Sequence, residues 1–157
     1  ELDPPASAVA YELTDLGREL DPLLLELGRW GLNFYEADPA EDLEPSWLPN
    51  SLRIVLHPPA DAAITIQLRS EGKAFCVEVA AGRVTAERGE AVAPDLTMSG
   101  PPRAVLATLI VGQQLVPGVE ISGDQAAFEA LREMVVLPEH LREGAEAAID
   151  AATARTA

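Results

Sequence analysis

The chain has 157 residues, 48% of them apolar and only 4% aromatic, enough for one mostly aliphatic core plus an appendage. Its 26 acidic against 11 basic residues leave a formal net charge of −15, which excludes this segment by itself as a clamp on a phosphate backbone. The single cysteine, Cys76, excludes an intrachain disulfide and points to a reducing, cytoplasmic setting.

Residues 1–14 read as a turn at Asp3-Pro4-Pro5 followed by a strand in which Val9, Tyr11 and Leu13 alternate with Ala10 and Glu12. A lone strand needs a partner, so this pattern, with Glu rather than Met at position 1, predicts that a preceding segment or a second chain supplies one. Thr14 has the chemistry of an N-cap, and a helix is predicted from there to about Leu32. Leu16, Leu20, Leu23, Leu27 and Trp30 fall on one face of it, with Leu24 widening the stripe. Pro22 should bend the helix. Too little chain lies before this stripe to cover it, so it is read as a homodimer interface through residues 15–34.

The Pro- and acid-rich stretch 36–46 reads as a linker. A short helix is expected near Trp47 to Leu56, ended by His57-Pro58-Pro59. From residue 63 the period changes to two. Ile64, Ile66 and Leu68, then Phe75, Val77 and Val79, then Val84 and Ala86, then Leu96 and Met98 mark four strands, with turns at Glu71-Gly72 and Ala81-Gly82. They are read as an antiparallel meander with one apolar face. Gly100-Pro101-Pro102 opens a helix whose buried side is Val105, Leu106, Leu109 and Ile110. Val119 and Ile121 form a short fifth strand. Gly123-Asp124 caps a helix that places Phe128, Leu131, Met134 and Val135 together and is broken by Pro138. The alanine-rich tail should be helical, with a weak stripe of Leu141, Ala145, Ala148, Ile149 and Ala152.

Sites for chemistry are sparse. His57 and His140 are far apart and no spacing suggests three or four metal ligands, so neither a metal nor a cofactor is expected. Gly82 to Gly89 lacks the Lys-Ser/Thr pair of a phosphate loop. Cys76 is read as a strand residue rather than a nucleophile, and the chain as no enzyme. No apolar run approaches the roughly 20 residues needed to cross a bilayer, and no signal peptide is visible.

Two resemblances organise these elements. Tyr11, Leu13, Thr14, Leu16, Gly17, Leu20, Pro22, Leu27, Trp30 and Gly31 resemble the second wing strand and following helix of HxlR-type winged-helix transcription regulators. The order "AGRV, PDLTMSG, helix with LATLIVG, VEISGD, helix" over residues 50–137 resembles a sterol carrier protein-type domain. Together they imply an α+β chain. Residues 1–35 would end a winged-helix domain with a wing strand and a dimerisation helix. Residues 36–46 would be a linker, 47–138 a five-stranded, mainly antiparallel sheet covered on one face by helices, and 139–157 a helical tail. The function implied is a ligand-responsive DNA-binding regulator; the alternative is a stand-alone lipid carrier or binding module. An apolar, lipid-like small molecule would sit among Ile66, Phe75, Val77, Met98, Leu106, Leu109, Ile110, Phe128, Leu131 and Met134. DNA contact would come from a winged helix mostly absent from this sequence, and its wing tip here, ELDPPASAVA, carries no Lys or Arg.

Overall fold

A computed structural model of the chain describes residues 12–36, 43–111 and 116–154. The predicted turn and the predicted strand through Tyr11 lie outside the described residues; Glu12–Thr14 belong to no strand. Helix α1 is Asp15–Arg18, and Thr14 caps it as its hydroxyl chemistry suggests, Oγ1 accepting from Gly17 N at 3.1 Å. The single long helix expected here is in fact two. The chain breaks at Glu19 and Leu20 and restarts as α2, Asp21–Gly31, with Pro22 in its first turn. The physical reason is the missing N–H of Pro22, which costs nothing in a first turn and a hydrogen bond anywhere later.

A 3-10 turn at Pro45–Trp47 leads into α3, Leu48–Val55, which buries Leu48, Leu52 and Val55. The strands follow: β1 Ala63–Ser70, β2 Lys73–Ala80, β3 Arg83–Arg88 and β4 Leu96–Ser99. Both hairpin turns place their two central residues at positive φ (Glu71 49° and Gly72 78°; Ala81 50° and Gly82 73°), the twist that matches two-residue hairpins. Helix α4 is Pro102–Val111, β5 is Glu120–Gly123, α5 is Gln125–Glu133 and α6 is Glu139–Ala154. Asp124 caps α5, its Oδ1 accepting from Ala126 N at 2.8 Å. That helix ends earlier than Pro138 alone would require: Met134 is its C-cap, and Val135 instead pairs with Leu56 in an isolated bridge.

The sheet order is β3-β2-β1-β4-β5. Three strands form the expected antiparallel meander, but β4 returns to the far side of β1 and runs parallel to it, Ile66 opposite Leu96 and Leu68 opposite Met98. β5 then pairs antiparallel with β4. Gln67 explains the return. It points away from the apolar face, yet it is 1% exposed. Its amide nitrogen donates to the Phe75 and Leu68 carbonyls, both at 3.1 Å, while its Oε1 accepts from Ala91 N at 2.6 Å. The 89–95 connection therefore crosses the outer face of the sheet and is stapled there. Arg69 with Glu90, and Thr65 N with Asp95 Oδ2 at 2.7 Å, hold its two ends.

Replacing Gln67 with alanine leaves Ala91 N–H without its partner and removes a second donor from the Phe75 and Leu68 carbonyls, and should cost about 2 kcal/mol in urea unfolding. A loss under about 0.5 kcal/mol would mean the crossing does not depend on this staple.

On the inner face one apolar core joins sheet and helices. Ile66, Leu68, Val77, Met98, Leu52, Leu56, Val105 and Leu131 are all wholly buried. α3 lies against β3 and α2, and α6 packs on α4.

Candidate functional site

Eight of the ten residues expected around an apolar guest are buried in this core: Ile66, Val77, Met98 and Leu131 completely, Leu109, Phe75, Met134 and Phe128 nearly so. The other two, Leu106 and Ile110, are half-buried and pack against its edge. β-Strand alternation brings the sheet members together, since Ile66 stands opposite both Val77 and Leu96 and Leu68 opposite both Phe75 and Met98. Helix α4 supplies Leu106, Leu109 and Ile110, and α5 supplies Phe128 and Leu131.

Helix α4 is unusual in having no polar side. After Arg103 its sequence is AVLATLIV, apolar or uncharged all round. A helix of that kind is expected to be covered on every side. Val105, Thr108 and Leu109 are buried on one side, but Ala104, Leu106, Ala107, Ile110 and Val111 on the other are only half-buried. Helix α6 packs on α4, and its described half-buried residues include Leu141 and Ala145. Ala148, Ile149 and Ala152 of the predicted tail stripe fall among the side chains outside the description. α4 is thus an apolar rod whose outer flank is only half-buried.

An open cleft of about 440 Å³ lies elsewhere, between Leu43–Pro45, Glu71 and Pro101–Arg103. None of the ten predicted residues lines it. The Lys73 ammonium pairs with Glu44 and holds that carboxyl below its ordinary range.

The predicted dimer residues lie on a face that nothing among the described residues covers. Leu16, Leu20, Leu23, Leu27 and Trp30 are between 52% and 74% exposed, and Leu13, Leu24 and Phe34 extend the strip at 62% to 69%. The Trp30 and Phe34 rings meet at a centroid distance of 4.8 Å with their planes tilted by 56°.

The opposite side of α2 escaped the sequence reading. Leu25, Gly28, Arg29 and Leu32 are half-buried toward α3. Arg29 donates to the Ile54 and Arg53 carbonyls at 3.1 and 3.2 Å, and Arg53 in turn pairs with Asp21 and donates to Val84 O at 3.2 Å. The spacing of Leu25, Gly28 and Leu32 was the available signal: a second i, i+3, i+7 face with a glycine at its centre.

Ionisable groups suited to covalent chemistry are few. Burial, with Glu78 and Glu87 nearby, pushes the Cys76 thiol up, so it stays protonated near neutral pH. No cluster of three or more His, Cys, Asp or Glu occurs among the described residues. No helix among them is long and apolar enough to cross a membrane.

No family model matches the chain, and no curated protein matches it. Among solved structures, the stereoselective inverting sec-alkylsulfatase Pisa1 from Pseudomonas sp. is similar over 59% of this chain at 17% identity and a TM-score of 0.47. The chain spans only 16% of that protein's length. The UbiJ-SCP2 ubiquinone synthesis protein is similar over 73% of this chain and 95% of its own, at 16% identity and a TM-score of 0.40. Sterol Carrier Protein 2 Like 2 from Aedes aegypti is similar over 75% of this chain and 98% of its own, at 16% identity and a TM-score of 0.34. Structures of the sterol carrier type are therefore among the similar ones.

Proposed function

We propose that this chain is a non-enzymatic binding module for an apolar, lipid-like small molecule and that it works as a homodimer joined through α1 and α2. The observation that carries the ligand reading is α4, apolar round its circumference yet only half-buried on its outer flank. An acyl chain or similar guest entering beside Leu106 and Ile110 would complete that burial and reach the Leu109, Phe128, Leu131 and Met134 layer. Met98 and Met134 can adjust their rotamers to a guest at little cost.

The test is titration with cis-parinaric acid, a fatty acid that fluoresces in apolar surroundings. Saturable binding displaced by palmitate is expected. Ile110→Asp, which sets a charge on a half-buried position, should weaken it at least about tenfold while far-UV circular dichroism is unchanged. Absence of displaceable binding in the parent protein would end the ligand reading.

The dimer reading rests on the uncovered strip. A single exposed leucine is ordinary, but eight large apolar residues in one run are not. Two such faces together offer on the order of the roughly 1,600 Å² of a standard interface. A second copy fits better than an anionic bilayer, which a chain of net charge −15 would be repelled by.

A second reading, a ligand-responsive transcription regulator, is favoured by one observation. The strip is presented by the same residues, Leu16 to Trp30, that resemble the dimerisation helix of HxlR-type regulators, and that helix is clasped to the sheet module by Arg29 and Arg53. DNA would be read by a winged helix supplied outside this sequence. Operator binding by a longer gene product, compared with and without added fatty acid, tests it; equal affinity in both conditions would remove the sensing role.

A further inference from the structure

Arg18, Arg29, Arg53, Arg69 and Lys73 each pair with a carboxylate, and Arg142 donates to Val135 O at 3.4 Å. Arg83 and Arg88 stand exposed on β3, where water serves them. Arg132 on α5 is different. It is partly buried, yet it pairs with no carboxylate among the described residues, in a chain whose acidic residues outnumber the basic ones 26 to 11. Its Nε–H is buried and has no hydrogen-bond partner, and among the described residues no other buried side-chain nitrogen or oxygen is in that state.

The surroundings of Arg132 account for its charge but not for this orphaned donor. It lies in the last turn of α5, where a cation suits the helix's terminal carbonyls. Its guanidinium lies over the Phe128 ring one turn back, with Cζ 5.9 Å from the centroid. Neither contact gives Nε–H an acceptor, and a buried N–H without one is costly and rare. Glu129, on the preceding turn, is occupied by Gln125, whose Nε2 donates to it at 3.2 Å.

We propose that Arg132 is the anion anchor of the apolar site, its guanidinium holding the carboxylate head of a guest whose tail lies in the Phe128, Leu131 and Met134 layer. The anchor rests on the ligand reading and gives it a substrate class, a long-chain carboxylate rather than a neutral lipid. Nε–H and the Nη–H on the same side form a fork that matches the two oxygens of a carboxylate. Solvent does not reach Nε, so a free anion of the medium does not either. Phe128, over which the guanidinium lies, belongs to the layer that a guest would part. An acceptor carried on an apolar tail therefore arrives with the guest that opens its place. The chain's net charge of −15 does not forbid this. At physiological ionic strength, charges beyond about 8 Å are largely screened, and the nearest unpaired charge decides.

The experiment uses a matched pair of probes, cis-parinaric acid and its methyl ester, the same fluorescent polyene with and without the charge. Both are titrated into the whole chain at pH 8, below the concentrations at which they self-associate. The parent should bind the acid at least about tenfold tighter than the ester, the low end for a hydrogen bond to a charged group. Arg132→Met, which keeps an apolar stem over Phe128, should lose that preference while its affinity for the ester changes by less than about twofold. Equal affinities in the parent, or a preference that survives in Arg132→Met, overturn the anchor. Ester binding with no gain for the acid is failure of the anchor alone, whereas no binding of either probe is failure of the ligand reading and of the anchor with it. Should Arg132→Met fail to fold, the Arg132 Nε–H resonance of the parent decides. It should move downfield on addition of the acid and stay in place with the ester; no movement specific to the acid overturns the anchor.

Discussion

The Leu20→Glu/Leu27→Glu double variant should sediment as a monomer at concentrations where the parent chain is a dimer, its association weakened about a thousandfold or more. The two leucines are 52% and 59% exposed in the single chain. Their burial against a second copy contributes at least about 1 kcal/mol each, and a symmetric dimer counts every residue twice. Four such contributions amount to about 4 kcal/mol, or three orders of magnitude in dissociation constant. Burying four carboxylates adds a further penalty.

Because neither leucine belongs to the chain's own core, unfolding of the monomer should be unchanged by the substitutions. That combination, lost association with retained stability, separates an interface from a damaged fold. Val92→Glu provides the control: Val92 is 92% exposed but stands alone on the 89–95 connection, and its replacement should leave association untouched. A parent chain that remains monomeric at high micromolar concentration would remove the dimer.

What could be seen in advance follows from the range of the forces involved. Thr14 and Asp124 as caps, the two hairpin turns and the period-two strands are local, and each has the chemistry its position needs. The parallel partnership of β1 and β4 is not local. The connection from β3 to β4 contains no helix, so nothing in its composition separates a hairpin from a crossing over the sheet. The crossing is held by Gln67, Arg69 and Thr65, residues more than twenty positions away from the groups they hold.

The same holds for the seating of α2 on α3. Arg29 meets Ile54 across 25 residues and Arg53 meets Asp21 across 32. A guanidinium aimed at backbone carbonyls leaves no pattern in the sequence. Burial of eight of the ten proposed guest-lining residues was legible, because alternation and helical spacing report a core. The half-buried flank of α4 was not, because it depends on which distant elements the fold brings beside that helix.

Gly123→Ala should destabilise the protein by about 3 kcal/mol or more, whereas Gly72→Ala should cost only about 1 kcal/mol. Both glycines have positive φ, 117° and 78°, so both replacements strain the backbone. What differs is the space. Around Gly72 there is no heavy atom within 4 Å of an added Cβ. At Gly123 the added carbon would collide with the Asp95 carbonyl oxygen and stand 3.0 Å from Leu96 Cα, backbone atoms that cannot rotate away.

Asp95 cannot yield, because it ties three elements. Its N–H donates to Thr65 O at 2.9 Å, its carboxylate accepts from Thr65 N, and its carbonyl accepts from Asp124 N at 2.7 Å. Moving it disturbs the β1–β4 pairing on one side and the start of α5 on the other. α5 carries Phe128 and Leu131, so the substitution should also displace part of the proposed guest layer and weaken fatty acid binding in whatever fraction stays folded. Chemical denaturation of both variants decides the point. Equal losses would mean that strain alone acts at Gly123 and that the close approach of β5 to β4 does not organise the apolar layer.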